Sequence, residues 1–360
     1  MGRTAGASEV GEAGEAVAAR GTRTPSGSSR AHEPSEPRKA RRSHRLRRAL
    51  LAALITGAVV VPLSGAARPE IPAPAPAALA TPMTAATLGE AYAANRANAA
   101  EASRMAAAHG DRERAAADRE MTVPSRHFLS FDGRGAGQAT EVFGDLAHAD
   151  HIAVLVPGSD TSIDTYDRFR DAARALHERL TREAPQGTST AVLAWLGYET
   201  PATVSTTVAT AGRAQEAAPK LREFIRQLGA LTADRPHISL LCHSYGSVVC
   251  GRAASHLDVD DIALVGSPGT GVDTAAALRT PARVWAARGS DDWVAEVPHI
   301  RLDLLGTTVG FGTDPISPSF GARVFAAGDG GHSDYFKAGS TSLANLTRIV
   351  LGETPEVSHG

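Results

Sequence analysis

Cysteine is nearly absent from this chain of 360 residues, which contains only Cys242 and Cys250. Two cysteines cannot form the set of bridges that holds a small secreted domain together, so a disulfide scaffold is excluded. Both lie around one turn between a predicted strand and a predicted helix. We expect two small buried thiols there, and we weigh a bridge from strand end to helix as the alternative.

Basic residues are scarce after position 48. Residues 1–48 carry 11 basic and 5 acidic side chains, which leaves 26 basic and 34 acidic side chains in the remainder. Nucleic-acid phosphates require a basic surface, so this balance argues against a nucleic-acid partner. The sequence also has no recognisable metal-ligand cluster, phosphate-binding loop or cofactor fingerprint, so we expect no metal and no cofactor.

The N-terminal region has the pattern of an export signal. Residues 1–48 are predicted to be disordered and end in a basic block, and residues 49–67 supply a 15-residue apolar run followed by small residues. A positive region, a short apolar run and a small-residue end are typical of a signal peptide, here with cleavage after Ala66 or Ala67. An uncleaved signal anchor is the alternative. We therefore expect a secreted or cell-envelope protein.

The rest of the chain divides by composition. The predicted parts are a Pro/Ala-rich linker at 68–83, a helical segment at 84–122, an α/β domain at 123–352 and a tail at 353–360. The spacing of Thr87 and Glu90 predicts a capping box that opens a helix running to about His109.

Short apolar runs alternate with amphipathic stretches through the α/β domain. The predicted strands are 127–132, 140–144, 152–156, 189–195, 237–242, 262–265, 283–287 and 322–326, and the predicted helices are 163–182, 211–228 and 340–352. This alternation predicts a mostly parallel sheet with helices on both faces. Ligands of such sheets bind beyond the carboxyl ends of the strands.

The strongest motif lies at residues 237–251. An apolar run ends at Cys242, a turn follows with Ser244 at its apex, and a stretch of small residues then predicts a helix. Strand, sharp turn and helix with a central serine resemble the nucleophile elbow of α/β-hydrolases. The chain keeps the small Gly246 of this motif but has Cys242 where glycine is usual.

An acid and a histidine follow Ser244 in the order that this fold uses. A serine hydroxyl needs an imidazole to take its proton and a carboxylate to orient that imidazole. The spacing after Gly289 favours Asp292 as the acid, with Asp291 as the alternative. His332 is the predicted base, preferred over His243 and His299.

Two backbone N–H groups are needed to bind the oxyanion. We predict Tyr245 as one donor, and Ser159 or Gly158 as the other, with Asp160 as a further alternative; the Pro-Gly sequence at 157–158 could also be only a turn. We predict a long loop at residues 295–320. The residues predicted to line a pocket are Tyr198, Asp291 and Phe311.

Several of these motifs resemble the α/β-hydrolase superfamily and, more narrowly, a family of exported actinobacterial α/β-hydrolases. The resemblance covers roughly residues 85–352 and rests on the segments 154–158, 195–198, 243–247, 266–269, 284–287 and 331–336. It implies the α/β-hydrolase fold and a triad of Ser244, Asp292 and His332. It implies no particular substrate.

The leading functional hypothesis is an exported serine hydrolase, esterase-like or lipase-like, that cleaves an ester-like acyl bond through an acyl-enzyme. Its substrate would be a small-molecule or lipid-like ester, and membrane association would arise only through an uncleaved signal. The alternatives are an acyltransferase acting on envelope lipids or sugars and a non-catalytic binding protein that keeps the fold.

Overall fold

The computed structural model describes residues 71–79, 82–203, 210–232, 234–299, 302–304, 307–354 and 357–359. The predicted disordered region and export signal, residues 1–67, lie outside these described residues. Within the described part, no helix is both long enough and apolar enough to cross a membrane.

The described chain alternates strands with helices. The helices are α1 Leu88–His109, α2 Arg112–Glu120, α3 Tyr166–Glu183, α4 Gly212–Leu228, α5 Gly246–Ala253 and α6 Thr341–Val350. The strands are β1 His127–Asp132, β2 Gln138–Gly144, β3 His151–Val156, β4 Thr190–Leu196, β5 His237–His243, β6 Asp261–Val265, β7 Arg283–Ala287, β8 Leu302–Leu304, β9 Thr307–Val309 and β10 Arg323–Val324.

Eight strands form one sheet in the order β1-β2-β4-β3-β5-β6-β7-β10. The pairs β1–β2 and β2–β4 are antiparallel, and the other pairs are parallel. The chain leaves β3 for β4 on one side and returns to β5 on the other side, so the strand order reverses beside β3. A crevice forms at such a point beyond the carboxyl ends of the strands.

Helices cover both faces of the sheet, and its central strands are apolar on both faces. Neighbouring residues of one strand enter opposite cores: Val154 belongs to the core under α4 and α5, and Leu155 belongs to the core under α3 and α6. This explains why β4 and β6 read as continuous apolar runs, as parallel strands covered by two helical layers do. The predicted fold class, an α/β-hydrolase fold preceded by a helical segment, is confirmed.

The N-terminal helices are attached to the sheet by buried polar contacts. The Asn95 side-chain amide donates to the Phe128 carbonyl at 2.9 Å. The predicted capping box of Thr87 with Glu90 is wrong: the Thr87 hydroxyl accepts instead from the Thr84 N–H at 3.0 Å. A short 3₁₀ turn precedes α1, and this turn moves the reciprocal cap three residues earlier.

The loop predicted at residues 295–320 contains a small hairpin that the sequence analysis missed. Strands β8 and β9 pair antiparallel and form a two-stranded sheet of their own. Each strand has only three residues, which is too short for a recognisable apolar alternation. The hairpin separates the strand end that carries the predicted acid from the strand end that carries the predicted histidine.

Candidate active site

The turn after β5 holds Ser244 in a strained backbone conformation. Its φ angle is 53°, in the left-handed region that side chains with a Cβ rarely adopt, and its N–H donates to the Val265 carbonyl at 3.0 Å. Gly246 starts α5 against the end of β3, where an added Cβ would lie 2.5 Å from the Val156 carbonyl oxygen. Only a glycine fits there, so the helix can turn back directly over the strand.

A disulfide joins Cys242 to Cys250, so the expectation of two free thiols is wrong. Helix α5 returns across β5, and its second turn brings Cys250 to a Cα–Cα distance of 6.5 Å from Cys242, within the range that a bridge spans. The bridge ties the strand before Ser244 to the helix after it. The cysteine that replaces the usual elbow glycine therefore serves as a covalent link within the elbow.

Three predicted residues from distant parts of the sequence form one hydrogen-bonded chain. The Ser244 Oγ lies 2.9 Å from His332 Nε2, and His332 Nδ1 lies 2.9 Å from Asp292 Oδ1. An ionised carboxylate only accepts hydrogen bonds, so Nδ1 carries the imidazole proton and Nε2 accepts from the serine hydroxyl. This is the arrangement in which an imidazole can remove the proton of a serine.

Of the two candidate acids, only Asp292 is hydrogen-bonded to His332. The side chain of Asp292 is fully buried against His332, whereas Asp291 is exposed and is reached only by the Ser290 hydroxyl at 3.4 Å among the described residues. The rival His299 lies beside Asp314, with 3.9 Å between Nε2 and Oδ1, and does not join the chain.

Asp292 is held ionised by three donors. Besides His332, the Val294 N–H donates to Oδ1 at 2.9 Å, and the Tyr335 hydroxyl donates to Oδ2. Burial alone would raise the pKa of Asp292, but the hydrogen bonds from His332, Tyr335 and Val294 outweigh it, so this pKa lies below its ordinary value.

The role of Tyr335 was not predicted from the sequence. Its hydroxyl accepts from the Gly289 N–H at 3.1 Å while it donates to Asp292, so the backbone of the β7 loop fixes the direction of the phenol proton. Burial and the bond to Asp292 raise the pKa of Tyr335, which keeps that proton in place. The only sequence signal was its position three residues after His332.

Two other rings contact the ring of His332. The His243 ring centroid is 4.7 Å away, and the Trp293 ring centroid is 4.6 Å away. His243 Nε2 donates to the His332 carbonyl at 2.7 Å, which agrees with the expectation that His243 packs rather than acts as the base. Burial, together with the nearby His332, lowers the pKa of His243 to about 4, so this ring is neutral near neutral pH.

The loop after β3 brings its backbone against Ser244. A Cβ added at Gly158 would lie 2.6 Å from the Ser244 Cβ. Among the described residues, the N–H groups of Gly158, Ser159 and Tyr245 have no acceptor, so they are available to an oxyanion. The alternative donor Asp160 is engaged, because its N–H donates to the Pro201 carbonyl at 3.0 Å.

A cavity of about 620 Å³ opens beside Ser244. The apolar part of its described lining includes Phe169, Ala172, Leu241, Trp293 and Phe336, and the polar part includes Thr161, Thr165, Arg168 and Thr203. A larger cavity of about 720 Å³ lies between α4 and the loop before β5, and none of the predicted site residues lines it.

The three predicted pocket residues do not line the cavity beside Ser244. Tyr198 is buried, and its hydroxyl donates to the Pro157 carbonyl at 2.7 Å, so it supports the loop that carries Gly158. Phe311 packs edge-on against the Tyr245 ring at 5.7 Å. Tyr198 was assigned to the pocket because it follows a strand, and Phe311 because it lies in the loop at 295–320. In the structure both rings instead support the backbone or side chains beside the site.

No group of three or more His, Cys, Asp or Glu side chains is arranged to hold a metal ion in the part of the chain that the structure describes. Ser244, His332 and Asp292 instead form a chain in which each polar group donates a hydrogen bond to the next. Together with the free N–H groups beside Ser244, such an arrangement can activate a hydroxyl, bind a developing oxyanion and protonate a leaving group.

Residues 132–302 match a family model described as Alpha/beta hydrolase. Two Mycobacterium tuberculosis H37Rv proteins are similar: Uncharacterized protein Rv2079 is 29% identical over 61% of this chain and 37% of its own length, and Uncharacterized protein Rv0963c is 32% identical over 42% and 60%. The chain thus spans less than two thirds of either relative.

Two solved structures that are similar to part of this chain are described as a serine hydrolase and an esterase. XC6422 from Xanthomonas campestris, described as an a/b serine hydrolase without lid, has 17% identity and a TM-score of 0.38, covering 64% of this chain and 94% of that one. Esterase PE8 has 19% identity and a TM-score of 0.42, covering 60% and 99%. The sheet topology shows that this chain has the α/β-hydrolase fold, and residues 132–302 resemble the α/β-hydrolase superfamily in sequence.

Proposed function

We propose that this protein is a serine hydrolase that cleaves an ester-like acyl bond with Ser244 as the nucleophile. The α/β-hydrolase fold supports a hydrolase. The observation that carries the finer proposal is the continuous chain of hydrogen bonds from Ser244 through His332 to Asp292 beside a cavity of about 620 Å³.

In the proposed acylation step, His332 Nε2 takes the Ser244 proton while Oγ attacks the ester carbonyl carbon. The negative charge that develops on the carbonyl oxygen faces the free N–H groups of Tyr245 and of Gly158 or Ser159. The imidazolium then gives its proton to the departing alcohol oxygen, the carbon–oxygen bond breaks, and an acyl ester on Ser244 remains. Water repeats the sequence and releases the acid.

The charges around His332 favour the imidazolium that this mechanism requires. Asp292 is buried and ionised on one side of the ring. His243 is in ring contact but stays neutral, since burial holds its pKa at about 4, so it adds no competing positive charge. In such a triad the ionised aspartate holds the imidazole in the correct tautomer and stabilises the imidazolium.

We also propose that the protein is exported, to the cell envelope or beyond it. The support is the basic block at 38–48 followed by the apolar run at 49–63. Cell fractionation of the full chain and of a variant lacking residues 1–67 tests this proposal. Retention of the full chain in the cytosol would contradict it.

Hydrolysis of short-chain p-nitrophenyl esters tests the catalytic proposal. The wild type should release p-nitrophenol, whereas Ser244→Ala and His332→Ala should each lose about 10⁴-fold or more in kcat/KM. Ser342→Ala is the matched control: its hydroxyl is also buried but lies in α6 and has no partner among the described residues. Equal activity of Ser244→Ala and the wild type would contradict the proposal.

A further inference from the structure

The Trp293 side chain is exposed beside His332, the residue that protonates the leaving alcohol in the proposed reaction. The exposed fraction of this side chain is 52%, and among the described residues only Val123 is another large apolar side chain in the exposed class. Its ring centroid lies 4.6 Å from that of His332 at an interplanar angle of 50°, and it lines the cavity beside Ser244. An exposed aromatic ring at a cavity mouth indicates a binding contact.

The fold does not need the Trp293 ring. The short 3₁₀ turn Trp293–Glu296 is anchored by Val294, whose side chain is buried and whose N–H donates to Asp292. Asp292 is also fixed by Tyr335, whose hydroxyl donates to the other carboxylate oxygen. The turn is therefore held without the indole, which leaves the ring free to contact a ligand.

The chemistry decides which part of a substrate meets Trp293. In the acylation step the departing alcohol oxygen must lie within hydrogen-bond reach of His332 Nε2. The carbonyl oxygen must instead face the N–H groups of Tyr245 and Ser159. The Trp293 ring packs beside the His332 ring at a tilt of 50°. A group attached to an alcohol oxygen that faces His332 therefore comes within reach of the indole.

We propose that Trp293 is a specificity-determining residue that binds the alcohol part of the substrate, and that the preferred substrates are esters of ring-containing, apolar alcohols. This inference rests on the proposed function. A flat indole face that is half accessible packs best against another ring or a bulky apolar group, whereas a methyl or ethyl group leaves most of it in water.

The test compares benzyl acetate with ethyl acetate, which share the acyl group and differ in the alcohol. The wild type should prefer benzyl acetate in kcat/KM. In Trp293→Ala the benzyl-to-ethyl ratio should fall by about fivefold to tenfold, the loss expected for one aromatic contact. Trp293→Phe should restore most of the ratio. Val123→Ala removes the other exposed apolar side chain and should leave both rates unchanged.

A second ratio separates this role from a general effect on His332. The butyrate-to-acetate ratio of ethyl esters reports on the acyl side and should stay within about twofold in Trp293→Ala. If Trp293→Ala lowers both benzyl and ethyl acetate equally, Trp293 only supports His332 and the inference is overturned.

Labelling by a fluorophosphonate tests the proposed function separately from the inferred role of Trp293. If the wild type is labelled at Ser244 but Trp293→Ala has the same benzyl-to-ethyl ratio as the wild type, the inference is refuted and the proposed function stands. Wild-type protein that neither labels nor hydrolyses any ester refutes both.

Discussion

A buried aspartate is hydrogen-bonded to a histidine at each end of the parallel strands, yet the two pairs have different surroundings. We call the side of the sheet where these strands begin the amino edge and the side where they end the carboxyl edge. At the carboxyl edge, Asp292 binds His332 at 2.9 Å. At the amino edge, Asp261 binds His237 at 2.8 Å. Both aspartate side chains are fully buried, and hydrogen bonds lower both pKa values despite that burial.

The two pairs differ in what neutralises the aspartate. At the amino edge, Asp261 is bound through both oxygens by the Arg283 guanidinium at 2.7 Å and also accepts from the Trp285 indole N–H. At the carboxyl edge, Asp292 has the Tyr335 hydroxyl in the corresponding role and no ion pair with a lysine or arginine among the described residues. Its charge therefore remains available to an imidazolium.

The two pairs also differ in what the second ring nitrogen meets. His237 faces carboxylates with both nitrogens, Asp261 at 2.8 Å and Asp260 at 3.9 Å. His332 faces a carboxylate with one nitrogen and the Ser244 hydroxyl with the other. Of these two pairs, only Asp292–His332 combines an acid that no lysine or arginine of the described residues neutralises with a hydroxyl at the second ring nitrogen.

Replacing each aspartate with asparagine should give the largest contrast. Asp292→Asn should lower kcat by about 10⁴-fold, because an amide facing Nδ1 favours the wrong tautomer of His332 and cannot stabilise its charge. Asp261→Asn should leave kcat within about twofold of the wild type, since a folded site at the other edge is untouched. Ester hydrolysis at matched folded concentration measures both.

The same two variants should reverse their order in stability. Asp261→Asn leaves the Arg283 guanidinium without its carboxylate and should lower the free energy of unfolding by about 3–4 kcal/mol. Asp292→Asn strands no fixed cation and should cost about 1 kcal/mol. Urea denaturation measures the difference. Equal losses in the two variants would remove the distinction between a structural and a catalytic pair.

A second histidine beside each pair gives a contrast in pH dependence. The His243 ring is partly buried and neutral, and its pKa of about 4 lies below the ordinary 6.5. Unfolding lets it take up a proton between these values, so the free energy of unfolding should fall by about 3 kcal/mol as the pH drops from 6.5 to 4.

The His243→Gln variant should lack this share of the pH dependence. His151, which contacts His237, also has a pKa lowered by burial but is only half-buried, so His151→Gln should change the slope less. Urea midpoints between pH 4 and 7 measure both. A wild-type slope that persists in His243→Gln would contradict the assignment of His243 as a partly buried, neutral ring.

Removing the aromatic donor of each aspartate should give the smallest effect. Tyr335→Phe takes one hydrogen bond from Asp292 and raises its pKa, so kcat/KM should fall about tenfold at pH 5 and less at pH 8. Trp285→Phe makes the matched change at Asp261 and should alter stability without moving the pH profile. A uniform loss at all pH values in Tyr335→Phe would point to a purely structural role.

Much of this fold could be read from the sequence, because its strands are buried on both faces and stand out as short apolar runs. The bounds of β1 and β7 agree with prediction, and Ser244, Asp292 and His332 each follow a strand, as the fold requires. Parallel strands present their carboxyl ends at one edge, so residues that follow strands could be expected to meet.

The contacts that refine the site could not be read in this way. Tyr335 reaches Asp292 across 43 positions, and the direction of its hydroxyl is set by the Gly289 backbone. The bridge from Cys242 to Cys250 depends on how tightly α5 turns over β5, which Gly246 permits but no pattern reveals. Side-chain direction at the end of a strand depends on loop geometry, and for the same reason Tyr198 supports the loop instead of lining the cavity.

The most direct test of the central claim is the mass of the protein after treatment with a fluorophosphonate, followed by peptide mapping. We predict one adduct, located on Ser244, that forms slowly or not at all in Asp292→Asn and forms at the wild-type rate in Asp261→Asn. An adduct on another serine, or no adduct on folded protein, would contradict the claim.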